Sequence, residues 1–208
     1  MISLFAGDEK MLASQAKRIS SFCISNGVIS EQDREKYDYC YEILLSSVLN
    51  IFSVVLIGLV TGFLAQAVCF MLVFALLKNT VGGYHADSHL ACFAGTVGTF
   101  LLYRLIAALI PASVLSAVAA VFAIFAGITV FLLAPVGTEN KPLSRRQKSQ
   151  LKEDSRLLIL FFCMVVLFLL LQDISPQWAF SVSSAIAAVS ASLIVGLIKL
   201  PKAETSNS

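Results

Sequence analysis

Residues 114–134 read VLSAVAAVFAIFAGITVFLLA, twenty-one positions without a charged side chain. A hydrocarbon core about 30 Å thick is crossed by about 20 helical residues rising 1.5 Å each. Pro111 stands before the run, and Pro135-Val136-Gly137 closes it. Inside a bilayer no water satisfies backbone N–H and C=O groups, so a continuous run of this kind has to be an α-helix. Working outward, five more apolar runs cover 43–62, 63–77, 92–110, 157–171 and 178–198. Of the six, those at 63–77 and 157–171 are short. The runs do not alternate as β-barrel strands do. The expected fold is therefore all-α: a polytopic membrane protein with six helical membrane segments and an N-terminal amphipathic helical segment.

Composition agrees. Of 208 residues, 58% are hydrophobic and 13% charged, about half the charged share of a soluble domain. Mean hydropathy is +0.85. A soluble globular domain and a disordered chain are both excluded on these grounds. The net charge of +2 is too small to point to nucleic acid. Five cysteines, at 23, 40, 69, 92 and 163, are odd in number and irregular in spacing, which favours free thiols over a disulfide framework.

Residues 1–42 are the only long mixed polar segment ahead of the apolar runs. Met11, Leu12, Ala16, Ile19 and Phe22 recur at near-helical spacing among Lys10, Lys17 and Arg18, the pattern of a helix lying at an interface. Asn26-Gly27 is a turn signal, and Ser30 with Glu31 and Asp33 starts a second helix. The expected organisation is 1–42 as amphipathic cytoplasmic or interfacial helices, 43–200 as a six-segment membrane domain, and 201–208 as a tail. No secretory-type apolar stretch opens the chain, so the first span is expected to direct insertion. With the N-terminus in the cytoplasm and six spans, 14 of the 15 Lys and Arg residues fall inside. Only Arg104 is left near an outer end, where it can snorkel. This positive-inside asymmetry puts both termini, the 78–92 segment and the basic 135–156 loop in the cytoplasm. Asn50 and Gln66, polar groups within spans, are read as interhelical hydrogen-bonding residues.

The 78–92 segment holds both histidines of the chain, His85 and His89, with Asp87, Ser88 and Cys92. If 84–93 is helical, His85 and Cys92 stand seven positions apart on one face, two turns along. An imidazole beside a thiol promotes the thiolate, which is the nucleophile. Gly82-Gly83 lets the backbone turn tightly and approach a bound chain. N–H groups at the start of such a helix can stabilise an oxyanion. The same atoms allow a second chemistry. His85, His89 and Cys92 have the spacing H-x3-H-x2-C and could hold Zn²⁺ with one open position. The usual HExxH base is missing, however. A third reading is a membrane transport or accessory subunit with no chemistry, in which the cluster is incidental.

GGYHADSHLAC, following KNTV, resembles the GGxHA…C signature of the accessory gene regulator B (AgrB) family, membrane cysteine endopeptidases of Gram-positive quorum sensing. APVGTENKPLSRRQKSQLK resembles that family's loop after the fourth span, and the length and six-segment layout match as well. The resemblance implies that Cys92 is the catalytic nucleophile and His85 its general base. It implies no metal and no cofactor. Gly82, Gly83, Asp87, Ser88 and His89 are candidate supporting residues. The implied partner is an AgrD-type precursor peptide with an amphipathic leader, a Cys or Ser, and an acidic tail. Cleavage at that tail would pass through a thioester on Cys92 to a thiolactone or lactone ring. Lys78, Lys141, Arg145, Arg146 and Lys148 are candidates for contacting the acidic tail. The resemblance further suggests a homodimer in the cell membrane, with its active site at the cytoplasmic face.

Overall fold

A computed structural model describes residues 2–82, 89–136, 144–172 and 174–199. Among these the chain forms seven α-helices: α1 (Ile2–Ser25), α2 (Arg34–Val60), α3 (Leu64–Val81), α4 (His89–Leu109), α5 (Ala112–Leu133), α6 (Arg145–Leu171) and α7 (Pro176–Lys199). Helices α2 to α7 supply six stretches long and apolar enough to cross a membrane. The protein is an all-α, multi-pass membrane chain, as the run lengths required.

The helices outrun the apolar segments that announced them. α2 begins at Arg34, behind a single 3-10 turn (Glu31–Asp33) whose Gln32 N–H is capped by the Ser30 side chain. α3 keeps Lys78 in its last turn and runs to Val81. α6 starts at Arg145 behind a capping box: Ser144 Oγ accepts from the Gln147 N–H, and Gln147 Oε1 accepts from the Ser144 N–H. The short run at 157–171 is thus the apolar end of a 27-residue helix, and the second half of the basic 135–156 stretch is helical rather than irregular. Hydropathy marks where lipid begins. Backbone hydrogen bonding continues past that point wherever Arg, Lys, Gln and Glu, all good helix formers, follow one another.

The chain divides into two compact units. One comprises Ile57–His85 and Thr99–Ser208. Here α7 is central, packed on α5, α3 and α6, with its most extensive contact to α5. Over half of its apolar stretch, 56%, is buried, against 33% or less for every other span. The buried positions are mostly small: Ala179, Ser181, Ser183, Ala185 and Ser190. Small residues allow close approach of helix backbones where lipid offers no hydrophobic drive for association. Ser181 Oγ donates to the Gln66 carbonyl oxygen of α3 at 2.9 Å. Phe70, Phe100, Tyr103, Phe180 and Phe122 form a continuous aromatic cluster with ring centroids 5.2–5.9 Å apart. Between α5 and α6, Gly127 makes room for Cys163, whose Sγ reaches the Ala123 carbonyl oxygen at 3.5 Å. The Arg104 guanidinium lies 3.4 Å from the centre of the Phe63 ring. Its Nε and Nη1 are buried without a hydrogen-bond partner among the described residues, and the ring face supplies a cation–π contact instead.

The other unit comprises Met1–Leu56 and Ala86–Gly98. A turn at Gly27 follows α1, with the Val28 N–H donating to the Cys23 carbonyl. Arg34 pairs with Glu31 and donates from Nη1 to Ser21 Oγ at 3.0 Å. Cys23 Sγ lies 3.4 Å from the Tyr41 hydroxyl. On α1, Ala16 and Ser20 are buried, whereas Met11 and Phe22 are exposed. On α2, Ser46, Asn50 and Val54 form a buried stripe at a spacing of four.

Candidate functional site

Cys92 sits in the first turn of α4, which begins at His89. It is an exposed free thiol. Its carbonyl oxygen accepts from Thr96 Oγ1 at 3.0 Å, which holds the first turn of α4 against the buried Thr96. The position is at the positive end of the helix macrodipole, which favours negative charge. Opposite stands Asn50 of α2, with Nδ2 3.9 Å from the Cys92 sulfur. Sequence reasoning assigned Asn50 to helix association. Its contact to the thiol joins positions 42 apart, and the one legible sign was an amide standing alone in an apolar run.

Gly82 is the other motif residue that the structure describes fully. It ends α3 with φ 70° and ψ −131°, a conformation that glycine alone enters readily. Its residue forms an isolated parallel bridge with Val136, whose N–H donates to the Val81 carbonyl at 3.0 Å. A Cβ on Gly82 would overlap the Val136 carbonyl oxygen. At Gly82 itself the protein's own 134–136 segment makes a close approach.

Gly83, His85, Asp87 and Ser88 lie outside the described residues, as does Lys141. Of the helix considered over 84–93, only the part from His89 onward is described, and neither the His89 nor the Arg145 side chain is. The Zn²⁺ reading falls on the same undescribed histidines. Lys78 is half-buried and donates to Ser192 Oγ of α7. Arg146 and Lys148 are exposed on the first turns of α6.

The family model described as Accessory gene regulator B matches residues 16–198. The chain belongs to the AgrB family. Relatives extend over most of its length. An AgrB-like protein of Clostridium perfringens (strain SM101 / Type A) is 24% identical over 196 residues, covering 90% of this chain and 88% of its own. Another, from Clostridium perfringens (strain 13 / Type A), is 26% identical over 171 residues, covering 77% and 78%. Their names rest on likeness too. No solved structure matches the chain. Membership of the AgrB family carries a quorum-sensing accessory role at a membrane.

Proposed function

We propose that this AgrB-family protein is a membrane cysteine endopeptidase that removes the acidic tail of a small quorum-sensing precursor peptide and lets the remainder close into a thiolactone or lactone. The observation that carries the reading is Cys92: an exposed thiol in the first turn of α4, at the end of an apolar span and touched by a buried amide. Cys92 loses its proton to His85, and Sγ adds to the scissile carbonyl. The C–N bond breaks, and the departing amine of the tail takes the proton from His85. The leader-bearing part remains as a thioester. A precursor Cys or Ser then adds to the same carbonyl, Sγ leaves, and the ring forms. Water has to be kept from the thioester, or a linear peptide results. A thiol at the edge of a membrane-embedded helix suits that need. The site works at the cytoplasmic face of a homodimer, with the basic residues Lys78, Lys141, Arg145, Arg146 and Lys148 attracting the acidic tail.

Co-expression with a precursor that has an amphipathic leader, a central Cys or Ser and an acidic tail tests this, with mass spectrometry of the products. Cys92→Ser should insert normally and abolish cleavage, because a neighbouring imidazole does not hold serine as an alkoxide. Serine at Cys23, Cys40, Cys69 and Cys163 together should preserve it. Cleavage by Cys92→Ser overturns the assignment. Release of linear peptide alone from wild type would leave the peptidase and remove the cyclisation.

A further inference from the structure

Asn50 is only 7% exposed, yet it is a primary amide in the middle of an apolar helix run. Its Nδ2 is aimed at Cys92 Sγ from 3.9 Å, and its Oδ1 has no hydrogen-bond partner among the described residues. A buried amide oxygen left unsatisfied weakens a fold, and leucine would fill the same space without that cost. A buried polar group in this state calls for a reason beyond packing. The chemistry of Cys92 under the proposed function, on which this inference rests, supplies one.

When sulfur adds to a carbonyl, the π electron pair moves onto an oxygen two bonds from Sγ. That oxygen, rather than the sulfur, needs a fixed donor about 3 Å away. A donor 3.9 Å from the sulfur can also reach an oxygen that stands beside the Sγ–Nδ2 line, on the carbon that Sγ attacks. The donor also belongs to a helix interior, so little reorganisation is needed as charge develops.

We propose that Asn50 is a catalytic residue of this site, the side-chain donor of its oxyanion hole. As the Sγ–C bond forms, Asn50 Nδ2–H bonds the oxygen that gains the electron pair. Collapse restores C=O and expels the amine of the tail, which carries the proton from His85. In the second half the precursor's own thiol or hydroxyl adds, its proton passing to His85. The same oxygen gains charge against Asn50, and collapse expels Cys92 sulfur, which recovers that proton.

The test uses the full-length protein in lipid nanodiscs, with Cys92 as its only cysteine, and a synthetic precursor peptide. Asn50→Ala and Asn50→Leu remove the donor. Asn50→Leu keeps the volume and removes the unsatisfied oxygen, so the helix pair stays folded. Expected is a fall in the cleavage kcat of about 10²–10³-fold with KM little changed, the range seen when one oxyanion donor is lost. Alkylation of Cys92 by iodoacetamide is displacement at a saturated carbon and builds no such oxyanion. Its rate should stay within about twofold of wild type in both variants, since only transition-state charge on oxygen is affected. Cleavage unchanged in both variants overturns the proposal. A parallel fall in alkylation also overturns it, because Asn50 would then merely hold the thiol. Cys92→Ser is assayed alongside: if it cleaves, the nucleophile assignment fails and this inference falls with it.

Discussion

Replacing Gly82 with alanine tests the turn that ends α3. Two costs add. The first is backbone conformation: φ 70° with ψ −131° is sparsely populated by residues with a Cβ, at about 1–3 kcal/mol. The second is steric. The new methyl meets the Val136 carbonyl oxygen, which is backbone and cannot swing aside, and overpacking of this kind costs about 1–3 kcal/mol. Taking the middle of both ranges, about 4 kcal/mol is lost, or about 8–16 °C in Tm for a chain of this length. Thermal unfolding in detergent micelles, followed by fluorescence of Trp178, the sole tryptophan, reads the change. Gly98→Ala is the matched comparison. Gly98 is an ordinary helical glycine with open space where a Cβ would go, so alanine there gains about 1 kcal/mol of helix propensity. Wild-type unfolding temperature for Gly82→Ala would refute the reasoning. A confirmed drop means that lost peptide cleavage in this variant reports a broken turn rather than a missing catalytic group.

Three further outcomes follow from other contacts. Gly127→Ala sets a Cβ 2.8 Å from Cys163 Sγ and should destabilise by about 1–2 kcal/mol; adding Cys163→Ala should restore most of it, and additive losses in a double-mutant cycle would contradict the packing described. His85→Ala should abolish cleavage while His89→Ala retains it without sensitivity to chelators; loss in both, with zinc restoring chelated wild type, would favour the metal reading. A cysteine introduced as Ser144→Cys should resist impermeant maleimide in intact cells and react after permeabilisation, as the positive-inside count requires.

The spans were readable because lipid thickness sets a length and apolar side chains mark it. Helix starts were less so. Leu157 looked like the beginning of the fifth span because the charged residues before it read as loop. The backbone continues through them from Arg145, and the Ser144-x-x-Gln147 capping box was the sign in the sequence. Cys92 was legible from its motif and from the histidines clustered near it. Asn50 was legible as an interhelical group, but the identity of its partner was not, because that partner lies 42 positions away. Gly82 was recognisable as a conformational glycine, but the identity of the chain that approaches it depended on where Val136 returns.

The central place of α7 bears on how this family can drift. About a quarter of aligned positions agree between the chain and its clostridial relatives. Faces turned to lipid, such as those bearing Leu132, Phe125 or Phe161, ask only for an oily side chain and accept exchange among Leu, Ile, Phe and Val. The inner face of α7 offers no such latitude. Ser183 and Ala185 are held between neighbouring helices, and one extra methylene there must push a whole helix rather than a rotamer. Exchange for anything larger than serine at those two positions should therefore cost far more than exchange at the exposed rim.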